Sequence, residues 1–347
     1  MKYVNLGKTD IKISCIGLGC WQFSGDRFWG KQTDKDLINI ATTALDCGIN
    51  FFDNAEIYGP NGYAEIILGK ALKDKRSKAV IATKAIGKSL KKENLATACE
   101  NSLKRLDTDY IDLYYIHWPN ADAPLEGTME VMEKLKDQGK IRAVGICNFG
   151  LKFFNRLLST GKIDLVEVHQ LPYSLLWRAI EYEIKQVIIE KNIGIVCYSS
   201  LAHGLLTGIY NNVNDVPDTH KVTRFYNFKH QNAEHREKGC EEEVFRAIKS
   251  IRKICNELSL PMEQVAIAWL LYQQGVSSVL TGALKPEEII KNAKAAETRL
   301  DNETLQKLTD VTEVVKKKLG KNPDMWKNNK NSWYIRGISE IQAEKHI

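Results

Sequence analysis

The chain has 347 residues, of which 44% are hydrophobic and 27% are charged, and its formal net charge is +6. This length and composition predict one large globular domain or two ordinary ones. Basic and acidic residues are interspersed, as in 234–243 ("EHREKGCEEE"), which indicates solvated helix faces and argues against a nucleic-acid-binding surface. No apolar run approaches the roughly 20 residues that cross a bilayer, so no membrane association is expected.

The eight cysteines are scattered and include no CxxC pair, so neither a disulfide framework nor a metal site is predicted. Residues 1–10 lack the apolar core of a signal peptide. Cys147 and Cys197 lie within apolar runs, where cysteine behaves as a small hydrophobic residue. A reducing, cytoplasmic location is therefore expected.

The chain opens on a predicted hairpin over residues 3–17, with "GKTD" at its turn, which could plug the bottom of a barrel. Short apolar runs then alternate with amphipathic helical stretches. The eight runs are 14–21, 50–55, 79–85, 111–118, 142–149, 164–172, 194–201 and 277–284. The helical stretches include 34–47, 63–73, 91–106, 126–138, 151–159, 178–191, 241–257 and 262–273.

Near-continuous apolar strands that alternate with helices predict an α/β fold whose parallel strands are buried on both faces. Eight such units predict a (β/α)8 TIM barrel, which usually has about 250 residues. The extra length lies in the long polar stretch 202–240, after the seventh run, which is typical of a lid or binding loop. The domain prediction is a barrel over 1–318 and a C-terminal tail over 319–347, docked or frayed.

Several apolar runs end on a polar or ionisable residue at regular intervals. The second to fifth runs end at Asp53, Lys84, His117 and Asn148, in steps of 31, 33 and 31 residues, and the sixth ends at Gln170. Because the carboxyl ends of parallel barrel strands converge at one mouth, these side chains are expected to meet there.

The charged residues at these ends make chemical sense together. Asp53 and Lys84, on neighbouring strands, can pair and so remain ionised in a poorly hydrated site. Tyr58 follows Asp53 on a short loop and can lie over the pair. A nearby ammonium favours phenolate, so the pKa of Tyr58 is expected to fall from its usual value of about 10 and suit a general acid. His117 adds a donor that can orient a substrate oxygen.

Each of these four residues also has an ordinary structural interpretation. Asp53 could cap the following turn, and Lys84 could extend to water. His117 could be a satisfied core histidine, and Tyr58 could be a packing aromatic. Their shared position at the ends of successive strands favours a functional site.

Seven motifs of the chain resemble those of a known family. The motifs "GLGCW", "FFDNAEIYG", "IATKA", "SLKRLDTDYIDLYYIHWP", "GKIRAVGICNF", "YSSLAHGLLTG" and "LTGALKPEEIIKN" are similar to those of the aldo-keto reductases, over roughly residues 2–315. The resemblance implies a (β/α)8 barrel that binds a nicotinamide dinucleotide without a Rossmann domain, in keeping with the absence of GxGxxG. It also implies oxidoreductase activity: carbonyl reduction and its reversal, on a small-molecule carbonyl or alcohol substrate.

The resemblance implies a role for each residue that matches a family motif. Tyr58 would be the proton donor, Lys84 and Asp53 would tune it, and His117 would position the carbonyl oxygen. The implied cofactor contacts, from the nicotinamide through the pyrophosphate to the adenosine end, are Gly19, Trp21, Asn148, Gln170, Tyr198, Ser199, Leu201, Gly204, Leu206, Gly208, Gly282, Lys285, Glu288 and Asn292. The expected substrate contacts are Trp21, Trp29 and Trp118.

Two departures from the family pattern concern the choice of cofactor. Leu284 and Glu288 stand where relatives often carry arginine or glutamine, which leaves Lys285 as the cation for a 2′-phosphate. Glu288 would repel that phosphate. NADP(H) is still favoured by the resemblance, with NAD(H) as the alternative.

Two other functions compete with a working reductase. The first is a cofactor-binding regulatory subunit of the same fold with little turnover, because the family includes channel-associated members. The second is a barrel isomerase or aldolase that uses Lys84 as a Schiff-base amine, which ranks lower because Asp53 should keep that lysine protonated. The substrate, the reaction direction and the oligomeric state are left open, since specificity in this fold resides in loops.

Overall fold

The structure is a computed structural model that describes residues 1–26 and 28–338. The strands are β1 (Tyr3–Asn5), β2 (Lys12–Ser14), β3 (Ile16–Gly19), β4 (Phe51–Asp53), β5 (Val80–Ala85), β6 (Ile111–Ile116), β7 (Ile141–Cys147), β8 (Val166–Pro172), β9 (Gly194–Tyr198) and β10 (Val276–Thr281). Strands β3 to β10 pair in parallel, in chain order, and β10 closes the ring on β3. The TIM-barrel prediction is confirmed, and each of the eight predicted runs overlaps one barrel strand.

The helices surround the barrel. They are α1 (Asp34–Asp46), α2 (Tyr63–Leu72), α3 (Leu95–Leu106), α4 (Leu125–Asp137), α5 (Leu151–Ser159), α6 (Ile184–Glu190), α7 (Glu241–Leu258), α8 (Met262–Leu271), α9 (Pro286–Ala293), α10 (Asn302–Leu319) and α11 (Trp333–Arg336). The sequence pattern does not assign α10, although Asp301 caps it by accepting a hydrogen bond from the Thr304 amide. Within the described ranges, no helix combines the length and the apolar character needed to cross a bilayer.

The N-terminal hairpin lies at the bottom of the barrel, as predicted. Strands β1 and β2 pair antiparallel. Leu6, Ile11 and Ile13 are buried in one cluster with residues of the barrel strands, among them Phe51 and Leu113. Burial of these apolar side chains seals the end of the barrel away from the strand carboxyl ends, so the opposite end is left for chemistry.

A long connection joins β9 to α7. Over residues 199–240 it contains only short 3-10 turns, in agreement with the predicted long loop. Arg224 anchors this loop: the residue is 4% exposed, and its guanidinium donates to the backbone carbonyls of Leu319, Asn322 and Asp324. The loop therefore holds the start of the C-terminal tail.

The tail is docked through Ile338, and residues 339–347 of the predicted tail lie outside the described residues. The buried carboxylate of Asp324 accepts hydrogen bonds from the amides of Trp326, Lys327 and Trp333, and so ties both arms of a loop together. At the far side, Ile338 bonds to the backbone of the loop after β6. The tail thus spans the mouth of the barrel between two anchors.

Candidate active site

Asp53 and Lys84 form a buried ion pair at the carboxyl ends of β4 and β5. Their side chains are 3% and 0% exposed, and the ammonium contacts Oδ1 of Asp53 directly. Lys84 Nζ also donates to the backbone carbonyl of Asn54 at 2.6 Å. Adjacent parallel strands bring these residues together, as their positions in the sequence predict.

Tyr58 and His117 join Asp53 and Lys84 in a cluster of four residues, called the tetrad below. Lys84 Nζ lies 5.1 Å from the centre of the Tyr58 ring. The Tyr58 and His117 rings meet edge to face, with their centres 5.9 Å apart. The structure therefore brings all four predicted residues to the barrel mouth, as a phenol and an imidazole above a lysine–aspartate pair.

Burial dominates the ionisation of this cluster. It raises the pKa of Tyr58 above its usual value, and the Lys84 ammonium offsets only part of that rise, so the expected net lowering is wrong. Burial has the largest single effect on Lys84 and lowers its pKa, but Asp53, Tyr58 and Cys147 together raise it further, so the net shift is upward. Burial, followed by Lys84, lowers the pKa of His117 well below its usual value, so its imidazole is neutral.

Three further predicted residues are hydrogen-bonded to this cluster, Gln170 and Asn148 directly and Tyr198 through Asn148. Gln170 donates from Nε2 to Oδ2 of Asp53 at 2.6 Å. Asn148 donates from Nδ2 to the backbone carbonyl of His117 at 3.0 Å, and Tyr198 donates its hydroxyl to Oδ1 of Asn148 at 2.8 Å. Two amide side chains and one aromatic ring therefore lie beside the tetrad, a donor set that fits a planar carboxamide-bearing ring.

The loop that follows β9 has an unusual backbone. Ser199, His203, Gly204 and Gly208 all have positive φ, between 51° and 93°. Ser199 Oγ lies 3.2 Å from Nε2 of His203. Leu206 is fully buried, whereas Leu201 is partly exposed. Loops with several positive-φ residues can present backbone N–H groups to a bound anion.

The predicted adenosine end combines a close backbone approach with a carboxylate. A Cβ placed on Gly282 would fall 1.8 Å from Nε2 of Gln22, so the glutamine side chain lies directly on this glycine. Glu288 accepts a hydrogen bond from the Leu284 amide at 2.7 Å. Lys285 precedes α9 and makes no side-chain cap to it. The remaining predicted residues are Asn292, buried in α9, and Gly19, which pairs with Asp53 across β3 and β4.

Trp21 and Trp29 belong to an aromatic cluster at one side of the mouth. Their rings meet edge to face at 5.3 Å, and Phe28 packs against both. His203 contacts both tryptophans, and His220 contacts Phe28 at 4.3 Å. The loop after β3 is thereby joined by ring contacts to the loop after β9, across the space between them.

Trp118 lies under the tail, in a second aromatic cluster that the sequence does not predict. Its ring is 5.1 Å from Trp333 and 5.2 Å from Tyr334, and Trp326 lies parallel to Tyr198 at 6.3 Å. The aromatics of the tail are visible in the sequence, but no periodicity or spacing relates them to the strand ends. Only the fold shows that they reach the site.

Comparisons with known proteins agree with this geometry. The family model described as "Aldo/keto reductase family" matches residues 15–313. The chain belongs to the aldo/keto reductase family. The predicted family membership is therefore confirmed.

Three relatives illustrate the range of the family. Aldo-keto reductase YhdN of Bacillus subtilis is 32% identical, over 90% of this chain and 94% of its own length. A probable voltage-gated potassium channel subunit beta of Arabidopsis thaliana is 34% identical, over 86% and 92%. The NADH-specific methylglyoxal reductase of Escherichia coli is 30% identical, over 91% and 100%.

The fold is also similar to those of solved members of the family. An aldo-keto reductase from Klebsiella pneumoniae, solved in complex with NADPH, superposes with a TM-score of 0.72. It is 26% identical, and the match covers 90% of this chain and 95% of that one. The barrel architecture is thus shared over nearly the whole of both proteins.

Proposed function

We propose that this protein is an NAD(P)(H)-dependent oxidoreductase that interconverts aldehydes or ketones with alcohols, with Tyr58 as general acid/base. The observation that carries this proposal is the meeting of Asp53, Tyr58, Lys84 and His117 at the barrel mouth of an aldo/keto reductase. The family alone supports oxidoreductase chemistry, and the four side chains supply the proton-transfer groups that such chemistry requires.

The residues beside the tetrad fit a nicotinamide cofactor. Asn148 and Gln170 would face its carboxamide, and Tyr198 would pack on its ring, because their amide and aromatic groups adjoin the catalytic cluster. The positive-φ loop 199–208 suits a pyrophosphate. When bound, the reduced nicotinamide supplies the hydride. NADP(H) is the cofactor that we propose, with NAD(H) as the alternative.

In the reducing direction, Tyr58 donates its proton to the carbonyl oxygen as negative charge develops there. An alkoxide is a stronger base than a phenolate, so this transfer is favourable even though burial raises the pKa of Tyr58. Lys84 remains charged beside Asp53 and stabilises the phenolate that is left. Neutral His117 offers an N–H to the same oxygen. In the oxidising direction the phenolate accepts the proton.

A regulatory subunit is the second candidate function, because the chain is 34% identical to a probable potassium channel β subunit. Such a role needs cofactor binding but little turnover. The intact cluster of Tyr58, Lys84, Asp53 and His117 favours the enzyme, since binding alone requires no proton donor.

The test compares the wild type with Tyr58→Phe, using NADPH or NADH and a panel of aldehydes and ketones, by following the absorbance of the reduced nicotinamide. We expect kcat to fall by about 10²- to 10⁴-fold while cofactor binding is retained. The matched control is Tyr63→Phe, which removes a phenol that bonds to Asp34 away from the mouth. An unchanged rate in Tyr58→Phe contradicts the catalytic role. A wild type that binds cofactor tightly but turns over no carbonyl supports the regulatory subunit.

A further inference from the structure

The tail places one phenol inside the site. Tyr334 is fully buried, and its hydroxyl donates to Oδ1 of Asn148 at 2.5 Å and lies 3.0 Å from the Tyr198 hydroxyl. Its backbone also fits closely, because a Cβ on Gly150 would fall 2.5 Å from the Tyr334 carbonyl oxygen. A glycine at 150 is what allows this approach.

Every hydrogen-bonding group of the Asn148 side chain has a partner. Its Oδ1 has two lone pairs, which accept from the hydroxyls of Tyr198 and Tyr334. Its Nδ2 donates to the carbonyl of His117 at 3.0 Å and contacts Sγ of Cys147 at 3.1 Å. Sulfur is a weak acceptor, so the N–H that faces Cys147 is the one that a carboxamide oxygen could take over.

These partners also set the direction of the amide. If Asn148 were flipped, its Oδ1 would face the carbonyl of His117, and its N–H groups would face two phenols. The backbone of Asn148 has φ 63°, a left-handed conformation that asparagine tolerates. The backbone carbonyl of His117 can only accept, so it fixes which end of the amide points to it, and the two phenols hold Oδ1 on the other side.

We propose that Tyr334 is a positioning residue of the active site: by donating to Asn148 it orients the amide that grips the nicotinamide carboxamide, and so makes the tail part of the cofactor site. This role presupposes the function proposed above. It acts through Asn148, which in turn supports the backbone of His117. A tail residue thus connects to the tetrad in two hydrogen-bonded steps.

The test is Tyr334→Phe in the full-length protein. The ring and its packing against Trp118 are retained, and only the donated hydrogen bond is lost. The dissociation constants of NADP⁺, NADPH, NAD⁺ and NADH are measured beside those of ADP-ribose and its 2′-phosphate, which lack the nicotinamide. We expect the dinucleotides to bind about three- to tenfold more weakly, with lower kcat. Binding of the ADP-ribose ligands should stay unchanged, and Tm should fall by no more than about 4 °C.

The matched control is Tyr182→Phe, which removes an exposed phenol that bonds to the backbone of α10 at 3.4 Å. This variant should bind every one of these ligands with wild-type affinity. Unchanged dinucleotide affinity in Tyr334→Phe overturns the inference. Tighter dinucleotide binding also overturns it, because the tail would then compete with the cofactor. Equally weakened binding of ADP-ribose overturns it as well, because that would indicate a general loss of structure. If the wild type binds no dinucleotide, that result would instead contradict the proposed function.

Discussion

The strand ends and the tail both deliver side chains to the same mouth, but by different means. Asp53 and Lys84 are carried by neighbouring strands whose backbones are hydrogen-bonded along the sheet. Tyr334 is carried by the short helix α11, in a segment that bonds to the backbone of the barrel at few points and depends on the side chains of Arg224 and Asp324. In the barrel, the hydrogen-bonded register of the strands sets where the side chains lie. In the tail, a few buried polar side chains do so.

This difference has a consequence for stability and dynamics. A group on a barrel strand moves only if the barrel opens, so a local defect there costs stability without relocating its neighbours. A segment held by a few anchors can detach as one unit, and such units lie at the low end of the range of local stabilities. Substitutions at strand ends should therefore act locally, whereas substitutions at the anchors should act on the whole tail.

The largest effect is expected when the strand-end ion pair is broken. In Lys84→Met the proton donor loses its ammonium and Asp53 is left buried without a counter-charge. We expect kcat to fall by at least about 10²-fold. The free energy of unfolding should fall by about 3–5 kcal/mol, measured by urea denaturation.

The control for this change is Lys70→Met, which breaks an exposed pair with Asp34 and should cost less than about 1 kcal/mol. Adding Asp53→Asn to Lys84→Met removes the uncompensated charge, so stability should partly return while activity does not. Recovery of activity in the double variant would show that the ammonium is not needed for catalysis.

A smaller effect is expected from the main anchor of the tail. Arg224→Met leaves the carbonyls of Leu319, Asn322 and Asp324 without their buried donor and removes an ion pair with Glu237. Each orphaned group costs about 1–3 kcal/mol, so the tail should detach more often. We expect chymotrypsin to cleave within 320–338 about tenfold faster, and the dinucleotide affinity to fall about as far as in Tyr334→Phe.

The matched control is Arg76→Met, at the opposite end of the barrel. Arg76 also donates to loop carbonyls, those of Ala79 and Tyr110, and pairs with a buried carboxylate, Asp112. Its loss should lower Tm without exposing the tail to cleavage and without weakening cofactor binding. If both variants release the tail equally, the tail reports only overall stability and is not a separately anchored unit.

The difference between the strand ends and the tail explains which parts of the fold and of the site the sequence predicts. Apolar runs at a regular spacing predict a barrel, and a barrel requires its strand ends to converge, so the sequence alone groups Asp53, Lys84 and His117. Nothing comparable predicts the place of Tyr334, because it depends on Arg224, which is distant in the chain. The sequence does not predict the raised pKa of Tyr58 either, because burial is a property of the folded site and not of the motif.

The smallest effect is expected at the adenosine end, which belongs to neither the strand-end cluster nor the tail. Glu288→Gln removes a negative charge while its side-chain oxygen can still accept from the Leu284 amide. If a 2′-phosphate binds there, its repulsion is relieved, so NADPH should bind about three- to tenfold more tightly and NADH should be unchanged. Glu287→Gln, a carboxylate in the same turn of α9, is the matched control. An equal gain for both cofactors would place the 2′-phosphate elsewhere, and loss of the gain at high salt would confirm its electrostatic origin.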